Sequence, residues 1–507
     1  MHPALQAILR LPSKAELERN RAGGVNPLKI MATIKPLPAA FFLCAWFAWI
    51  VDACDIFALS LSIARLSTYF GFGNSNHQVM FASTVSTLLR PIGALVFGGL
   101  SDRYGRKWPF IFNLLCISLL SLATSFCRTF AEFMAVRALF GIGVGGTWGL
   151  AATTGLENLD GPARALLSGI LQEGFSLGYI ISAVVNIIAS THLAGPDGWR
   201  ALFIFGACAS ALAAFFRLLL PESPYFVQRR AKIASSSWSS AKLRRTCAEV
   251  KLVLSKYWGR TLYGTCMMIL LVMLARATSE MYPLLLSLTK GLSQTKTSQL
   301  IIIGSVGAIL GGIIGGFASH HIGHRYTIIA SKLLAGVLIP AWLLPHSFSG
   351  LAAGVFFLQM AAHGGTGVIP GLLSNLSPPQ YRATMSGLML QLGIMISSFS
   401  GPTMTAIGDR MQIPNPNFKP GNGSLKTVPD YTATSGISTG IVIGCLVLFT
   451  LLGPDFTNPP EQVSEMESQP VAENDSDEPQ LSPQATDEDA DIETDDKELP
   501  KDDIVEK

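Results

Sequence analysis

About twelve blocks of roughly twenty apolar residues recur along this 507-residue chain, and each is the length a helix needs to cross the hydrocarbon core of a bilayer. One or two such blocks fit inside a soluble helical protein. A dozen do not, because a soluble chain has too little core to hide them. Charged residues make up 14% of the sequence against 49% hydrophobic, about half the charge of an ordinary soluble domain. The chain therefore reads as an all-α polytopic membrane protein.

Spans are expected near 41–64, 79–100, 109–127, 131–154, 166–191, 199–220, 261–288, 299–319, 327–345, 350–375, 383–407 and 434–452. Basic residues fall on alternate loops. Arg103, Arg106 and Lys107 follow span two, Arg164 follows span four, and the 222–260 segment between spans six and seven holds Arg229, Arg230, Lys232, Arg244, Arg245 and others. By the positive-inside rule that side is cytoplasmic and both termini face it. The chain divides into a cytoplasmic segment 1–40, a six-helix bundle 41–220, a cytoplasmic loop 221–260, a second six-helix bundle 261–452 and a tail 453–507.

Residues 461–507 carry 18 acidic and 3 basic side chains, net −15, which leaves net +18 on the remainder. With almost no aromatics, this tail is expected to be disordered and solvated, with trafficking machinery as its possible partner. The first forty residues lack a basic-then-apolar segment ending at a small-residue cleavage site, so the first span is expected to insert the chain. The eight cysteines show neither metal-ligand spacing nor a disulfide framework and read as small apolar fillers. Asn422, Gly423 and Ser424 form a glycosylation sequon on the outer loop 408–433.

The two halves resemble each other. GLSDRYGRK (99–107) answers to GFASHHIGHR (316–325), setting Asp102 opposite His320 and Gly105 opposite Gly323. PARALLSGILQEG (162–174) answers to QYRATMSGLMLQLG (380–393), setting Arg164 opposite Arg382 and Ser168 opposite Ser386. Every pair is 218 residues apart. A common offset across separate motifs indicates a duplicated six-helix bundle, and two related halves around a central site are the architecture of alternating access.

Within this frame, Asp102, Arg103, Gly105, Arg106 and Lys107 are candidates for a conformational latch: a tight turn lets basic residues meet a helix end and an acid. The bland alternative is a positive-inside anchor. The second copy has His320 where the first has its acid, so a latch would be asymmetric. Charges inside spans are costly unless paired or wet. They are Asp52 and Asp55 in span one, Arg90 in span two, Arg137 in span four, Glu173 in span five, and Arg276 with Glu280 in span seven. Asp52 and Asp55 stand i,i+3, and Arg276 and Glu280 i,i+4, so each pair shares a helix face. Ion pairs that brace helices and an anion site with a titratable partner both account for such a set.

No phosphate loop, ATPase domain, nucleic-acid surface, cofactor motif or catalytic arrangement stands out. The glycines at 141, 143, 145 and 146 serve close helix packing, and His363 reads equally as a cavity or a packing residue. An ion channel is disfavoured because two unlike, glycine-rich halves offer no filter ring.

The duplicated plan and SDRYGRK resemble the major facilitator superfamily. The runs 41–63, LLRPIGALVFGGLSDRYGRKWPFIFNLL (88–115), RALFGIGVGG (137–146), PARALLSGILQEGFSLGY (162–179) and GWRALFIFGA (198–207) resemble fungal monocarboxylate–proton symporters, the lactate and pyruvate permeases grouped with bacterial sialate symporters. The likeness covers about 38–455 and implies the twelve-helix major facilitator fold with two six-helix bundles. It further implies proton-coupled uptake of a small organic anion at the plasma membrane, with no cofactor.

The span-seven stretch of that family is approximately Asn-x-x-Ser-His-x-Ser-Gln-Asp before a Tyr-Pro pair. Here VMLARATSEMYP (272–283) places Val272 for the asparagine, Arg276 for the histidine, Thr278 for a hydroxyl, Ser279 for the glutamine and Glu280 for the acid, with Tyr282 and Pro283 retained. Gln391 matches a family glutamine in span eleven, whereas Ile394 replaces the asparagine that follows it. Arg276 can hold a carboxylate bidentately but cannot exchange a proton near neutral pH. Proton coupling would then pass to Glu280, Asp52, Asp55 or Glu173. With Val272 and Ile394 the site is more apolar, which points to an anion larger or more hydrophobic than lactate. Efflux of an acidic secondary metabolite and a non-transporting substrate sensor are the competing readings.

Overall fold

Proline and side-chain caps mark where the helices of this protein begin. Pro36 opens the first transmembrane helix, and Thr129 and Glu132 form a reciprocal capping box at the start of the fourth. Ser347 caps the tenth, and Asp430 caps the twelfth by accepting from the amides of Thr432 and Ala433. Each device satisfies amides that a helix start leaves without partners. The computed structural model describes residues 26–72, 77–192, 196–227, 242–378, 381–414 and 427–453. The acidic tail, residues 228–241 of the 221–260 loop and the sequon at Asn422 lie outside them.

Twelve described helices are long and apolar enough to cross a membrane. Spans one to six are Pro36–Ile63, Phe81–Tyr104, Lys107–Phe126, Phe130–Leu156, Gly161–Ala189 and Arg200–Leu219. Spans seven to twelve are Tyr257–Thr289, Thr295–Ile322, His324–Leu343, Phe348–Leu376, Arg382–Arg410 and Tyr431–Leu452. A short antiparallel ladder, Gln412–Pro414 against Thr427–Pro429, precedes the last span. Twelve helices in two related sets of six make the all-α fold expected from the sequence.

The repeat is visible in the backbone. Gly105 and Gly323, 218 residues apart, both turn the chain between adjacent spans with positive φ, 113° and 83°. That conformation is open to glycine and strained for other residues. Packing repeats as well. Gly141 and Gly145 of span four sit on the carbonyls of Ser86 and Arg90 in span two. In the second half Gly307, Gly311 and Gly315 of span eight sit on the carbonyls of Phe356, Met360 and Gly364 in span ten. Glycine at these contacts lets backbones approach as they do in membrane bundles, where small residues replace hydrophobic driving force.

Four spans are interrupted, span eleven at Ser398–Phe399 between Arg382–Ser397 and Ser400–Arg410. Span five breaks at Glu173, between Gly161–Gln172 and Gly174–His192. Span ten breaks at Gly365–Val368, between Phe348–Gly364 and Ile369–Leu376. Span seven widens into π-helix at Arg276–Glu280 and again at Leu285–Thr289. Pro283, which has no N–H, lies between the two π segments and removes a rung from the α ladder. These irregularities lie against other helices, where loosened backbone groups can be satisfied.

Candidate functional site

The end of the molecule that carries Arg103, Arg106, Lys107 and Arg164, here termed the basic end, is where the two bundles are pinned together. Arg106 is fully buried. Its Nη1 donates to Asp102 at 2.6 Å, its Nη2 to Glu157 at 2.8 Å and its Nε to Glu157 at 3.2 Å. Burial disfavours the guanidinium charge, but Glu157 and Asp102 outweigh it and hold Arg106 above its usual range. The backbone amides of Arg106 and Lys107 donate to Glu222. A Cβ on Gly105 would lie 2.4 Å from that carboxylate, so glycine is required there for space as well as for its dihedral. Asp102 reaches the other bundle, accepting from Thr384 Oγ1 at 2.6 Å, Thr384 N at 2.9 Å and Ala383 N at 3.3 Å. Of the five latch candidates, Asp102, Gly105 and Arg106 converge with the Lys107 amide. Arg103 is exposed over the Tyr104 ring, and the Lys107 ammonium lies over Trp108. Glu157 and Glu222 complete the cluster. Glu222 was open to detection, as an acid at the end of span six on the same side as SDRYGRK; Glu157 offered only an acid at the end of span four.

The intramembrane charges form a second cluster. Asp55 is held inside the first bundle, its carboxylate accepting from Ser121 at 2.6 Å and from Ser210 at 3.3 Å. Arg137 is buried with its guanidinium 3.9 Å from the Phe140 ring centroid and 5.6 Å from that of Phe203, in the field of Asp55, Arg90 and Asp52. Asp52 is buried nearest electrostatically to Arg90. Arg90 in turn feels Asp52 on its own side, and Arg276 and Glu280 on the other. Arg90 of the first bundle and Arg276 of the second thus lie in each other's electrostatic field.

Arg276 donates to Glu280 at 2.8 Å, with side-chain exposures of 18% and 51%. The π turn sets this pair. Met281 N donates to Arg276 O, five residues back, at 3.2 Å. At that spacing the donor for Thr278 O would be Pro283, which has none. Gln359 of span ten supplies it, its Nε2 donating to Thr278 O at 3.1 Å and to Ser279 Oγ at 3.0 Å. Gln359 carried no pattern in the sequence that marked it. The Thr278 hydroxyl donates to Leu274 O in its own helix. Gln391 is buried, and its Oε1 has no hydrogen-bond partner among the described residues.

Aromatic rings flank the charges. Phe57 stacks on Tyr179 at 4.1 Å and meets Phe175 at 5.0 Å, Phe175 meets Trp49 at 5.7 Å, and Tyr179 lies in the field of Glu280. Tyr179 thereby links this ring cluster to the field of the Arg276–Glu280 pair.

Glu173 lies at the bundle interface, next in the chain to Gly174, on which Trp49 packs. His363 Nδ1 is 3.0 Å from its Oε1, Ser176 donates to it at 2.7 Å, and Thr366 donates at 3.4 Å. Lys332 of span nine lies in the field of Glu173. As a charge within span nine, Lys332 carried the same signal in the sequence as the other intramembrane charges. Its relation to Glu173 is visible only in three dimensions.

Twelve membrane-spanning helices in two repeated bundles, hydrogen-bonded to each other at one end, define a polytopic membrane carrier. The chain belongs to the major facilitator superfamily, whose family model matches residues 41–402. A carboxylic acid transporter protein homolog of Saccharomyces cerevisiae is 28% identical over 448 residues, 86% of this chain and 71% of that protein. A probable 4-methylmuconolactone transporter of Cupriavidus pinatubonensis is 25% identical over 365 residues, covering 71% and 81%. A crystal structure of a double-tryptophan mutant of XylE, the xylose transporter from E. coli, superposes with a TM-score of 0.64 at 17% identity, covering 85% of this chain and 98% of that one; this likeness is one of fold. The chain is a transport protein and not an enzyme.

Proposed function

We propose that the protein is a proton-coupled symporter of organic carboxylates that works by alternating access at the plasma membrane, with the basic end and both termini in the cytoplasm. The observation that carries this reading is that Arg90 and Arg276, from opposite bundles, lie in each other's electrostatic field. An anion between them would draw the bundles together, and charge-assisted bonds to guanidinium are among the strongest a carboxylate can make. The likeness to a yeast protein named for carboxylic acids agrees with the chemistry.

The ring cluster of Trp49, Phe57, Phe175 and Tyr179, together with Val272 and Ile394, favours an anion with an apolar or conjugated body. With the basic end latched through Asp102 and Thr384 and Glu280 half exposed, we read the conformation as outward-facing. Asp52, Asp55, Glu173 and Glu280 are the titratable candidates for coupling.

Purified protein in vesicles, offered lactate, benzoate, nicotinate, cis,cis-muconate and sialic acid with a proton gradient imposed in either direction, tests the reading. Accumulation of a carboxylate on the alkaline side supports symport, and accumulation on the acidic side supports the efflux alternative. Specific, saturable binding without flux of any of the five would point to a sensor.

A further inference from the structure

Glu173 and His363 join the two bundles at the places where both of their helices are broken. Glu173 stands at the break of span five, about 18 Å along the helix from its basic end, and His363 just before the break of span ten, about 20 Å from the same end. The pair is therefore near the middle of a membrane about 30 Å thick. Glu173 is 3% exposed, and His363 keeps 16% of its side chain accessible. Gly312 of span eight closes over the carboxylate, where a Cβ would fall 2.3 Å from Glu173 Cγ. One turn toward the basic end, Ser168 donates to Gly367 O and accepts from Gly371 N, tying the broken segment of span ten to span five. Broken helices that meet at mid-membrane between two repeats are where carriers hold their coupling ions.

Lys332 gives this pair a direction. Its Nζ donates to Ala362 O, so it belongs to the same bundle as His363, and it lies in the field of Glu173. While the bundles are together, one carboxylate faces both the imidazole of His363 and the side chain of Lys332. When they part, Glu173 leaves with the first bundle and His363 remains beside Lys332 with no acid. Two basic groups then share one bundle without the acid, which disfavours holding charge on both.

Other neighbours of the pair are committed elsewhere. Span eight offers glycines here, with His320 and His321 about two turns nearer the basic end. Span one packs Trp46 and Trp49 on Gly174, while its Asp52 and Asp55 lie in the fields of Arg90 and Arg137. Span four's Arg137 stacks on Phe140, span six's Arg217 donates to Pro221 O, and span five's Arg164 donates to Leu156 O and Leu159 O. Lys29 of the Pro27–Ala32 helix is exposed at the basic end.

We infer that Glu173, His363 and Lys332 form the proton-binding site of the carrier, with His363 as the group that carries the proton. In the latched form the imidazole takes one proton through its accessible edge. Opening of the basic end separates it from Glu173 and leaves it beside Lys332, and the same proton passes to water on that side. This inference rests on the symport reading above and names the group that performs the coupling.

The test uses full-length protein in vesicles with the same five carboxylates, a pH-sensitive dye inside, and two assays: exchange at equal pH and accumulation under a gradient. One proton per carboxylate supports about tenfold additional accumulation per unit of pH gradient. His363→Gln is expected to keep exchange within threefold of wild type, while carboxylate-driven proton entry falls at least tenfold. His363→Arg preserves a charge pair that cannot release its proton, and it too is expected to lose coupling; full coupling in that variant would assign the pair to bracing. Proton entry within twofold of wild type in His363→Gln would overturn the inference. If single variants do not accumulate as folded protein, the Glu173→Gln/His363→Gln/Lys332→Met triple variant, which removes all three titratable groups together, decides. Exchange without coupling supports the site; retained coupling, loss of both activities in a folded protein, or failure of the triple variant to fold overturns it. Wild-type protein that moves none of the five carboxylates with protons would instead refute the symport reading itself.

Discussion

Replacing Asp102 by Asn should unlatch the basic end. Three of the bonds that Asp102 accepts come from the opposite bundle, and the two to Thr384 are the shortest, at 2.6 and 2.9 Å. Its ion pair with Arg106 lies within one bundle and is lost in both conformations alike, so it cancels from the equilibrium between them. A carboxylate bond of this kind contributes roughly 1 kcal/mol more than a neutral one. Two such bonds therefore shift the equilibrium by about 2 kcal/mol, or roughly thirtyfold toward the form open at the basic end. Ser374 reports that opening, because it is buried beside Glu157, Arg164 and Arg382 in the latched form. With Ser374→Cys in a cysteine-free background, the rate of labelling by a membrane-impermeant thiol reagent from the basic end should rise about thirtyfold in the slow-reagent limit, where rate follows population. A rise below threefold, with the protein folded, would refute the claim that Asp102 holds the bundles together.

Gly105→Ala should lower the melting temperature, since the residue has φ 113° and a new Cβ 2.4 Å from Glu222; strain of about 1–2 kcal/mol is expected, and an unchanged melting temperature would count against it. Gln359→Leu leaves Thr278 O buried without its donor, a loss of about 1–3 kcal/mol, and should weaken carboxylate binding by loosening the Arg276 turn; wild-type affinity in a calorimetric titration would dismiss that positioning role. Truncation after residue 460 should leave vesicle transport within about twofold, because the acidic tail has no composition for a core, and loss of transport by the purified truncated protein would contradict this.

The twelve spans were legible because bilayer thickness writes a length into the sequence. The repeat was legible because a backbone with positive φ demands glycine at both Gly105 and Gly323. The intramembrane charges announced themselves by their cost, but their partners did not. Glu173 meets His363 from 190 positions away, and Arg106 meets Glu157 and Glu222 from 51 and 116. No local pattern encodes such pairings. Asp52 and Asp55, one helical turn apart, share a face in the sequence, yet Asp55 is taken up by Ser121 and Ser210 while Asp52 lies nearest Arg90. The π turn at Arg276 was hidden too. Pro283 signals a broken ladder, but whether a helix kinks or widens there depends on Gln359, which arrives from another span.

Affinity for a carboxylate in Arg276 variants tests the central claim most directly. For whichever of the five carboxylates binds wild-type protein best, Arg276→Ala should weaken binding by about 1.5–3 kcal/mol, roughly tenfold to 150-fold, through loss of charge-assisted bonds. Arg276→Lys should restore only part of it, because an ammonium lacks the planar fork. Wild-type affinity in folded Arg276→Ala protein would contradict the account and return Arg276 and Glu280 to the role of a brace between helices.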